Sequence, residues 1–276
     1  MTHVRLLSDT HNCHQIFHGT PNDSRLDRMV TLLKEAEAAE PSQGTLVLGD
    51  VSLDHWGWNE GGSRLWPTPV SRTSEFCARW FPLLPAPAYI IPGNHEQYSP
   101  AEWLQRTGQP RAQAVVLGDL LFILCDAFRG DLDPVENSDG TYLPMDCGWI
   151  REMLAAYPGL PVILCAHYFD FSGETEEFTA LVRDEPRILA LAAGHTHLSS
   201  VIPAGDTGKV ILQTGQFSYS GMQDPGESWR GWRELFWDGK KLTSWYAASA
   251  GEGSHNGETF SVEAHRQDFY EGIFSL

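Results

Sequence analysis

The side chains of this sequence that could carry out chemistry are aspartates, histidines and one asparagine, which occur in short clusters between residues 9 and 197. A carboxylate oxygen and an imidazole nitrogen together suit a divalent transition metal. Asp9 and His11 are two positions apart, so in loop geometry both side chains can face one point. Taken alone, each cluster is more often a turn or an ordinary buried histidine than a metal site. The clusters are Asp9 with His11, Asp50, Asn94 with His95, His167, and His195 with His197.

The elements that must position these clusters are short apolar strands. An aliphatic run ends directly before each cluster, and runs of this kind are typical of buried strands. The functional groups of an α/β fold collect beyond the carboxyl ends of its strands, where neighbouring loops converge. The clusters are therefore predicted to meet in one site of an α/β fold. The runs span residues 4–7, 45–48, 88–92, 161–166 and 187–193.

The rest of the chain predicts further elements around these strands. Ser24 is expected to cap a helix, and two more helices are expected over about 71–81 and 148–157. Hairpins are expected over 115–124 and 232–247, and loops over 52–70 and 129–146. No internal repeat or low-complexity linker is visible. Residues 1–276 are therefore predicted to be a single domain whose tail, from about residue 251, docks on the body.

The composition limits the partners and the compartment. Apolar residues make up 42% of the chain, and no apolar run approaches the length of a membrane span. The formal net charge of −17 disfavours long nucleic acids, because no basic run offsets it. The five cysteines are scattered without a C-x-x-C pair, and no secretory signal is visible at the N-terminus. Reduced cysteines in a cytoplasmic protein are therefore expected.

The clustered side chains can together hold two metal ions. Asp50 can bridge two cations with its two carboxylate oxygens, and His195 and His197 are spaced so that they can reach different ions. The other imidazoles and the carbonyl oxygen of Asn94 supply further ligands. A pair of ions about 3.5–4 Å apart can clamp both oxygens of an in-line phosphoryl displacement. No cysteine joins the clusters, which disfavours a structural zinc site.

The motifs resemble those of the calcineurin-like metallophosphoesterases, all five of whose sequence blocks are present in order. The resemblance implies a four-layer α-β-β-α sandwich of two packed mixed β-sheets, with the metal site at the strand carboxyl ends. It also implies hydrolysis of a phosphomonoester or phosphodiester. The matching motifs are Asp9-x-His11, Gly49-Asp50, Gly93-Asn94-His95-Glu96, His167 and Gly194-His195-x-His197.

The same resemblance implies a role for each clustered residue. His95 would not be a ligand; it would stabilise the transferring phosphoryl oxygen or protonate the leaving group, which the pKa range of histidine permits. Glu96 is expected either to orient His95 or to lie on the surface. The implied ligand sets are Asp9, His11, Asp50 and His197 for one ion, and Asp50, Asn94, His167 and His195 for the other.

Differences from the motifs of other branches indicate which branch of the family the chain resembles. Asp50 is followed by Val51-Ser52-Leu53-Asp54, without the Asp-Arg-Gly that marks the Ser/Thr protein phosphatases. Leu53 stands where purple acid phosphatases carry a metal-ligating tyrosine, and those enzymes also lack the histidine that His11 provides. The pattern is most similar to bacterial or phage phosphodiesterase-type members.

The expected cofactors and substrate follow from ligand chemistry and charge. Nitrogen and oxygen ligands admit Mn, Fe, Zn, Co or Ni, with Mn expected. The expected substrate is a small phosphorylated molecule or nucleotide, since aromatic rings can stack on a base and arginines can neutralise a second phosphate. Packing between loop and body is the alternative role for the rings. Tyr168, Phe169 and Phe171 also flank the site and could shape it. The candidates for stacking and phosphate contact are Trp56, Trp58, Trp66 and Tyr98, with Arg64 and Arg72.

Two other functions fit the same motifs. A catalytically inactive scaffold would keep the fold only to bind partners, but the intact His95 and the complete ligand set argue against it. A DNA or RNA nuclease of the same family is disfavoured by the acidic balance of the chain. The sequence leaves the oligomeric state and the choice between mono- and diesters open.

Overall fold

The computed structural model describes residues 1–13, 21–55, 71–128, 140–218, 227–255 and 258–275. Trp56, Trp58, Trp66 and Arg64 lie outside these residues. The strands are β1 Thr2–Leu7, β2 Gly44–Leu48, β3 Ala88–Ile91, β4 Gln113–Leu117, β5 Leu120–Leu124, β6 Val162–Ala166, β7 Ile188–Ala193, β8 Val201–Pro203, β9 Val210–Gln213, β10 Gly231–Trp237, β11 Lys241–Ala248, β12 Gly251–His255, β13 Glu258–Val262 and β14 His265–Ile273. The helices are α1 Asn22–Ala39, α2 Arg72–Arg79, α3 Pro100–Thr107, α4 Cys147–Ala156 and α5 Glu176–Asp184.

The first sheet contains six strands in the order β14-β11-β10-β1-β2-β3. Strands β1, β2 and β3 are parallel, whereas β10, β11 and β14 each run antiparallel to their neighbours. The register pairs Leu6 with Leu46 and Leu46 with Tyr89, so the three parallel strands are aligned. Their carboxyl ends therefore lie side by side at one edge of the sheet.

The second sheet also contains six strands, in the order β4-β5-β6-β7-β9-β8. Strands β5, β6, β7 and β9 are parallel, and the edge strands β4 and β8 are antiparallel to them. The central strands β6 and β7 are fully buried, which explains their continuous apolar sequences. They end directly before His167 and Gly194.

The two sheets pack face to face, and helices cover their outer faces. Successive residues of a strand point to opposite faces, so Leu6 joins the core between the sheets while Leu7 packs outward with Leu26 of α1. On the second sheet, Ile150 of α4 and Phe178 of α5 pack against the outer face. This arrangement confirms the predicted four-layer sandwich of two mixed sheets.

The observed helices agree in part with those predicted from the sequence. The helices predicted over about 71–81 and 148–157 are present as α2 and α4. The predicted Ser24 cap is wrong, because α1 begins at Asn22 after Pro21, and the Ser24 hydroxyl donates to the Pro21 carbonyl at 2.9 Å. Helix α3, which was not predicted, begins with a capping box formed by Ser99 and Glu102. None of the helices in the described ranges is long and apolar enough to cross a membrane.

The tail beyond residue 251 forms three strands. Strand β14 pairs with β11 and becomes the edge of the first sheet, where Tyr270 and Phe274 pack against the core between the sheets. Strands β12 and β13 form a separate hairpin, from which Phe260 packs on Trp229. Phe269 is 64% exposed. The count of one domain over 1–276 stays a prediction.

Candidate metal centre

Five strands carry the candidate centre at their carboxyl ends: β1, β2 and β3 of the first sheet and β6 and β7 of the second. Backbone hydrogen bonds join the loops, as when the His11 amide donates to the Asp50 carbonyl at 3.0 Å and the Gly194 amide to the His167 carbonyl at 2.9 Å. All eight predicted site residues come together here. Three overlapping groups have ligand atoms within 4.8 Å of one another: Asp9–His11–His197, His11–Asp50–His95 and Asp50–His167–His195.

In the first group, one carboxylate oxygen faces two imidazoles. Asp9 Oδ1 lies 3.9 Å from His11 Nε2 and 3.6 Å from His197 Nε2. This oxygen is buried and accepts no hydrogen bond from the part of the chain that the structure describes, whereas Asp9 Oδ2 accepts from the Ser8 hydroxyl and the His195 amide. A buried carboxylate oxygen without a donor is costly, and a bound cation would satisfy it. The two nitrogens and this oxygen suit a divalent ion.

In the third group, which Asn94 joins, an amide and a carboxylate face the histidines that follow β6 and β7. Asn94 Oδ1 lies 2.9 Å from His167 Nε2 and 3.0 Å from His195 Nδ1. Asp50 Oδ2 lies 3.2 Å from the same His167 Nε2. Four side chains from β2, β3, β6 and β7 therefore present nitrogen and oxygen atoms to one point, a donor set that also suits a divalent ion.

Asp50 lies between the first group and the third. Its Oδ2 is 3.2 Å from His167 Nε2, 3.3 Å from His11 Nε2 and 3.6 Å from His95 Nε2. Its Oδ1 accepts from the His95 amide at 3.1 Å, which holds the loop after β3 against the loop after β2. One carboxylate is thus within reach of ligands from both groups.

The backbone at the site adopts a conformation that most residues avoid. Non-glycine residues rarely have a positive φ, because Cβ then approaches the following carbonyl oxygen. Residues held in this region cluster at functional sites, where the surrounding structure compensates the strain. Among the described non-glycine residues, five of the six with positive φ are site residues: Asp9, His11, Asp50, His195 and His197, with φ between 45° and 68°.

Two glycines allow the strand ends to approach closely. A Cβ on Gly93 would lie 2.1 Å from Asp50 Oδ1 and 2.5 Å from the Asp50 amide nitrogen. Gly49 has a φ of 88°, and a Cβ there would lie 2.7 Å from His167 Nδ1. Side chains at these positions would displace Asp50 or His167, which explains the Gly-Asp and Gly-Asn pairs of the sequence.

Glu96 is buried directly behind Asp50. Its Oε2 accepts from the amides of Asp50 and Gly93 at 2.9 and 2.8 Å, and its Oε1 accepts from the Ser52 amide at 2.8 Å. Burial and the nearby charge of Asp50 raise its pKa to about 8. The expectation of a surface position for Glu96 is therefore wrong, and its contacts are with the backbone that carries Asp50.

Burial and charge set the protonation of the candidate ligands. Desolvation disfavours the charged ring and lowers the pKa of both His11 and His195 to about 3. For His167 burial acts in the same direction, but the charge of Asp50 outweighs it and raises the pKa to about 9. Burial opposes ionisation of Asp50, yet His167 and His95 hold its pKa well below the usual range. An ionised carboxylate beside neutral imidazoles is the state that binds a metal, so His11 and His195 are ready to bind, whereas His167 must lose a proton as an ion binds.

Two residues that contact the histidines were missed by sequence reasoning. Ser218 Oγ lies 2.9 Å from His11 Nδ1, and Glu227 Oε1 lies 2.8 Å from His197 Nδ1. Both follow β9, in a part of the chain that carries no motif. A lone serine or glutamate there gives no sequence signal for a contact with a residue so distant along the chain.

Of the aromatic and basic candidates for stacking and phosphate contact, Tyr98 and Arg72 lie within the described residues, and both have partners in the body of the protein. Tyr98 is buried in the outer core of the first sheet, and its hydroxyl is hydrogen-bonded to Asp54 and Ser71. Arg72 forms an ion pair with Glu75 of the same helix. Among the described aromatic residues, the rings of Tyr168 and Phe128 lie beside His195, with centroids 4.5 and 6.3 Å from its ring.

A family model matches most of the chain. A model described as calcineurin-like phosphoesterase matches residues 2–199, which include every residue of the candidate ligand groups. Among curated proteins, none matches.

Solved structures show the same fold at low sequence identity. A dimetal phosphatase from Danio rerio is 13% identical with a TM-score of 0.62, and the match covers 99% of each chain. A purple acid phosphatase from yellow lupin (Lupinus luteus) is 12% identical with a TM-score of 0.57, covering 98% of this chain and 53% of that one. GAP50 of Plasmodium, titled the anchor in the inner membrane complex, is 10% identical with a TM-score of 0.53, covering 96% and 89%.

Proposed function

This chain belongs to the calcineurin-like phosphoesterase family, and from that membership we propose that it is a phosphoesterase whose active site holds two divalent metal ions. The observation that carries the proposal is the position of Asp50. Its Oδ2 faces His11 of one ligand group and His167 of the other at 3.3 and 3.2 Å. A carboxylate in this position could be shared by two ions, the arrangement with which two-metal sites promote in-line displacement at phosphorus.

The proposed ligands divide between two metal positions that share Asp50. When bound, a pair of divalent ions supplies Lewis-acid stabilisation of the charge that develops at phosphorus. Manganese is the proposed ion, and Fe, Zn, Co and Ni suit the same ligands. Position one comprises Asp9, His11, Asp50 and His197, and position two comprises Asp50, Asn94, His167 and His195.

His95 is proposed as the catalytic acid rather than as a ligand. Its Nε2 is 3.6 Å from Asp50 Oδ2, and its backbone amide donates to Asp50 Oδ1, so the ring is fixed at the edge of the metal site. From there an imidazole can donate a hydrogen bond to a phosphoryl oxygen or a proton to the leaving group. This assignment rests on the family motif, because the distance of 3.6 Å from His95 Nε2 to Asp50 Oδ2 is only slightly longer than the 3.3 and 3.2 Å of the proposed ligands His11 and His167.

The proposed substrate is a small phosphodiester, phosphomonoester or nucleotide. The net charge of −17 repels a long polyanion along its whole length but a small one much less, because salt screens charges beyond about 8–10 Å. The ring of Tyr168, beside His195, gives an aromatic surface at the site. We place the chain with the bacterial or phage phosphodiesterase-type members, on its sequence departures from the other branches.

A cytoplasmic location is part of the proposal. All five cysteines lie in the described residues, where no disulfide joins them, and four of them are buried. Cysteines without disulfides are typical of proteins in a reducing compartment.

The test is hydrolysis by purified protein after metal removal and reconstitution. Manganese-loaded protein is expected to hydrolyse bis(p-nitrophenyl) phosphate or p-nitrophenyl phosphate, and a panel of nucleotides, cyclic nucleotides and sugar phosphates would then identify the substrate. Asp50→Asn, which keeps the shape of the side chain and removes its charge, is the matched control and should be inactive. Two bound ions without turnover of any substrate would support the inactive scaffold instead.

A further inference from the structure

The two proposed metal positions differ in what their histidines contact on the side away from the metal. In position two, His167 Nδ1 lies 2.7 Å from the Leu48 backbone carbonyl, a neutral acceptor. In position one, His197 Nδ1 lies 2.8 Å from the carboxylate of Glu227, and His11 Nδ1 lies 2.9 Å from the Ser218 hydroxyl. Among the described residues, a carboxylate therefore lies behind His197 of position one, whereas a peptide carbonyl lies behind His167 of position two.

Glu227 is held in place by the chain around it. Its Oε2 accepts from Gln216 Nε2 at 3.4 Å, and the same Gln216 nitrogen donates to the Ser228 carbonyl at 2.9 Å. The Ser228 amide donates to the His197 carbonyl at 2.9 Å, which fixes the backbone next to Glu227 against the backbone of the histidine itself. The side chain of Glu227 is only 10% exposed.

Ser218 is held in the same way on the other side of position one. It is fully buried, and the amide of the preceding Phe217 donates to the Asp9 carbonyl at 3.2 Å. Arg25 donates to the Phe217 carbonyl and, at 3.0 Å, to the His11 carbonyl, so one guanidinium joins this stretch to the loop that carries His11. Ser218 and Glu227 both lie beyond residue 199, where the family match ends.

A carboxylate behind a metal-binding histidine has two effects. It accepts a hydrogen bond from Nδ1–H, which leaves the lone pair on Nε2 free for the metal. Its negative charge also makes Nε2 a stronger ligand. His197 Nε2 is the atom that faces Asp9 Oδ1, so the contact with Glu227 selects the tautomer that points its lone pair into position one.

We infer that Glu227 is a positioning residue that makes position one bind a divalent ion more tightly than position two. The inference rests on the proposed dinuclear centre and adds the order in which its two ions bind. The ion at position one would bind first and leave last, and the ion at position two would exchange more readily with the medium.

The test is a titration of metal-depleted protein with Mn²⁺, in which free ion is followed by electron paramagnetic resonance. Wild-type protein is expected to bind two ions in two separate steps. Glu227→Gln keeps an oxygen that can accept from Nδ1 but removes the charge, and it should weaken the tighter step by about 10-fold. Glu227→Ala removes both the acceptor and the charge, and it should weaken the tighter binding step by about 10–100-fold while the weaker step stays unchanged. Glu263→Gln, which removes one exposed charge elsewhere, is the matched control and should leave both steps unchanged.

The outcomes separate this inference from the proposed function. Unchanged tight binding in both Glu227 variants would overturn the inference, and so would an equal loss in both steps, because a general structural defect would produce it. The melting temperature of the metal-free variants reports such a defect independently. If wild-type protein bound only one ion, the dinuclear proposal would fail, but Glu227→Gln would still report on the inference by weakening or sparing that ion.

Discussion

Asp50 Oδ2 lies within 3.6 Å of three imidazoles that come from three different strands. If this carboxylate bridges two ions, its removal weakens both positions, whereas loss of any single histidine weakens one. Asp50→Ala is therefore expected to lower the metal content from two ions per chain to at most one, and His195→Ala to leave one. Metal analysis after Mn²⁺ reconstitution and gel filtration measures this. Two ions retained in Asp50→Ala would exclude the bridging role.

His95 allows catalysis to be separated from metal binding. It is 8% exposed and contacts Asp50 through its backbone amide as well as its ring. His95→Ala is expected to keep both ions and to lower kcat by roughly 10²–10⁴-fold, the usual contribution of a general acid. Paired measurement of metal content and kcat is the check, and His95→Gln serves as a polar control. A variant that lost an ion would identify His95 as a ligand.

At the scale of the strands, the site depends on how closely β2 and β3 approach at their ends. A Cβ on Gly93 would overlap the Asp50 carboxylate and amide, so Gly93→Ala must push the two loops apart. We expect a loss of stability of about 1–3 kcal/mol together with weaker metal binding. Gly148→Ala in α4 is the control, because a Cβ there meets only Asp146 Oδ1 at an ordinary 3.4 Å. Urea denaturation with metal analysis of both variants would show whether the close approach matters.

The sequence predicted the strands around the site well because their pattern is local. Continuous aliphatic runs such as those of β6 and β7 are typical of strands buried on both faces, and the polar cluster after each run marks its end. The start of α1 was predicted wrongly because a serine is a frequent cap, whereas Pro21 takes that position with no side-chain hydrogen bond. Helix α3 was missed although Ser99-Pro100 and Glu102 are the usual signals of a helix start.

Other features could not have been predicted, since they depend on contacts between distant parts of the chain. The pairing of β14 with β11 as the edge of the first sheet leaves no local signal beyond alternating residues. The contacts of Glu227 and Ser218 with the histidines arise only after both sheets have packed. Which of the aromatic residues reach the site was also undetermined, and Tyr98 proved to belong to the core.

For the molecule as a whole, metal binding should contribute to stability. Asp9, Asp50 and Glu96 are buried carboxyl groups packed together, and burial raises the pKa of both Asp9 and Glu96. Ions that bind only the folded chain add about 2.7 kcal/mol for each site at 100-fold excess over Kd. A chelator is therefore expected to lower the melting temperature by several degrees in calorimetry. The chelator should lower the melting temperature of Asp50→Ala much less than that of the wild-type protein. An equal decrease in both proteins would argue against the proposed site.

The acidic character of the whole molecule bears on substrate size. A net charge of −17 repels an oligonucleotide through many phosphates and a dinucleotide or mononucleotide ester through few. Small nucleotides are therefore expected to be cleaved with higher kcat/KM than oligonucleotides of the same sequence. Kinetics at low and moderate salt is the measurement, with bis(p-nitrophenyl) phosphate as a substrate without a base. Faster cleavage of the oligonucleotide at every salt concentration would rule out the small-substrate proposal.

The left-handed backbone at Asp9, His11, Asp50, His195 and His197 has a consequence for how such a centre can disappear during evolution. Glycine and asparagine tolerate this conformation best, and each non-glycine residue held there carries roughly 1–2 kcal/mol of strain. A single base change converts an aspartate codon to glycine or a histidine codon to asparagine. Mutations that remove a metal ligand are thus one step away and relax the backbone at the same position. Where selection for hydrolysis lapses, mutation can therefore remove the ions while the relaxed backbone offsets part of the stability that they contributed, so the sandwich can persist without the metal centre.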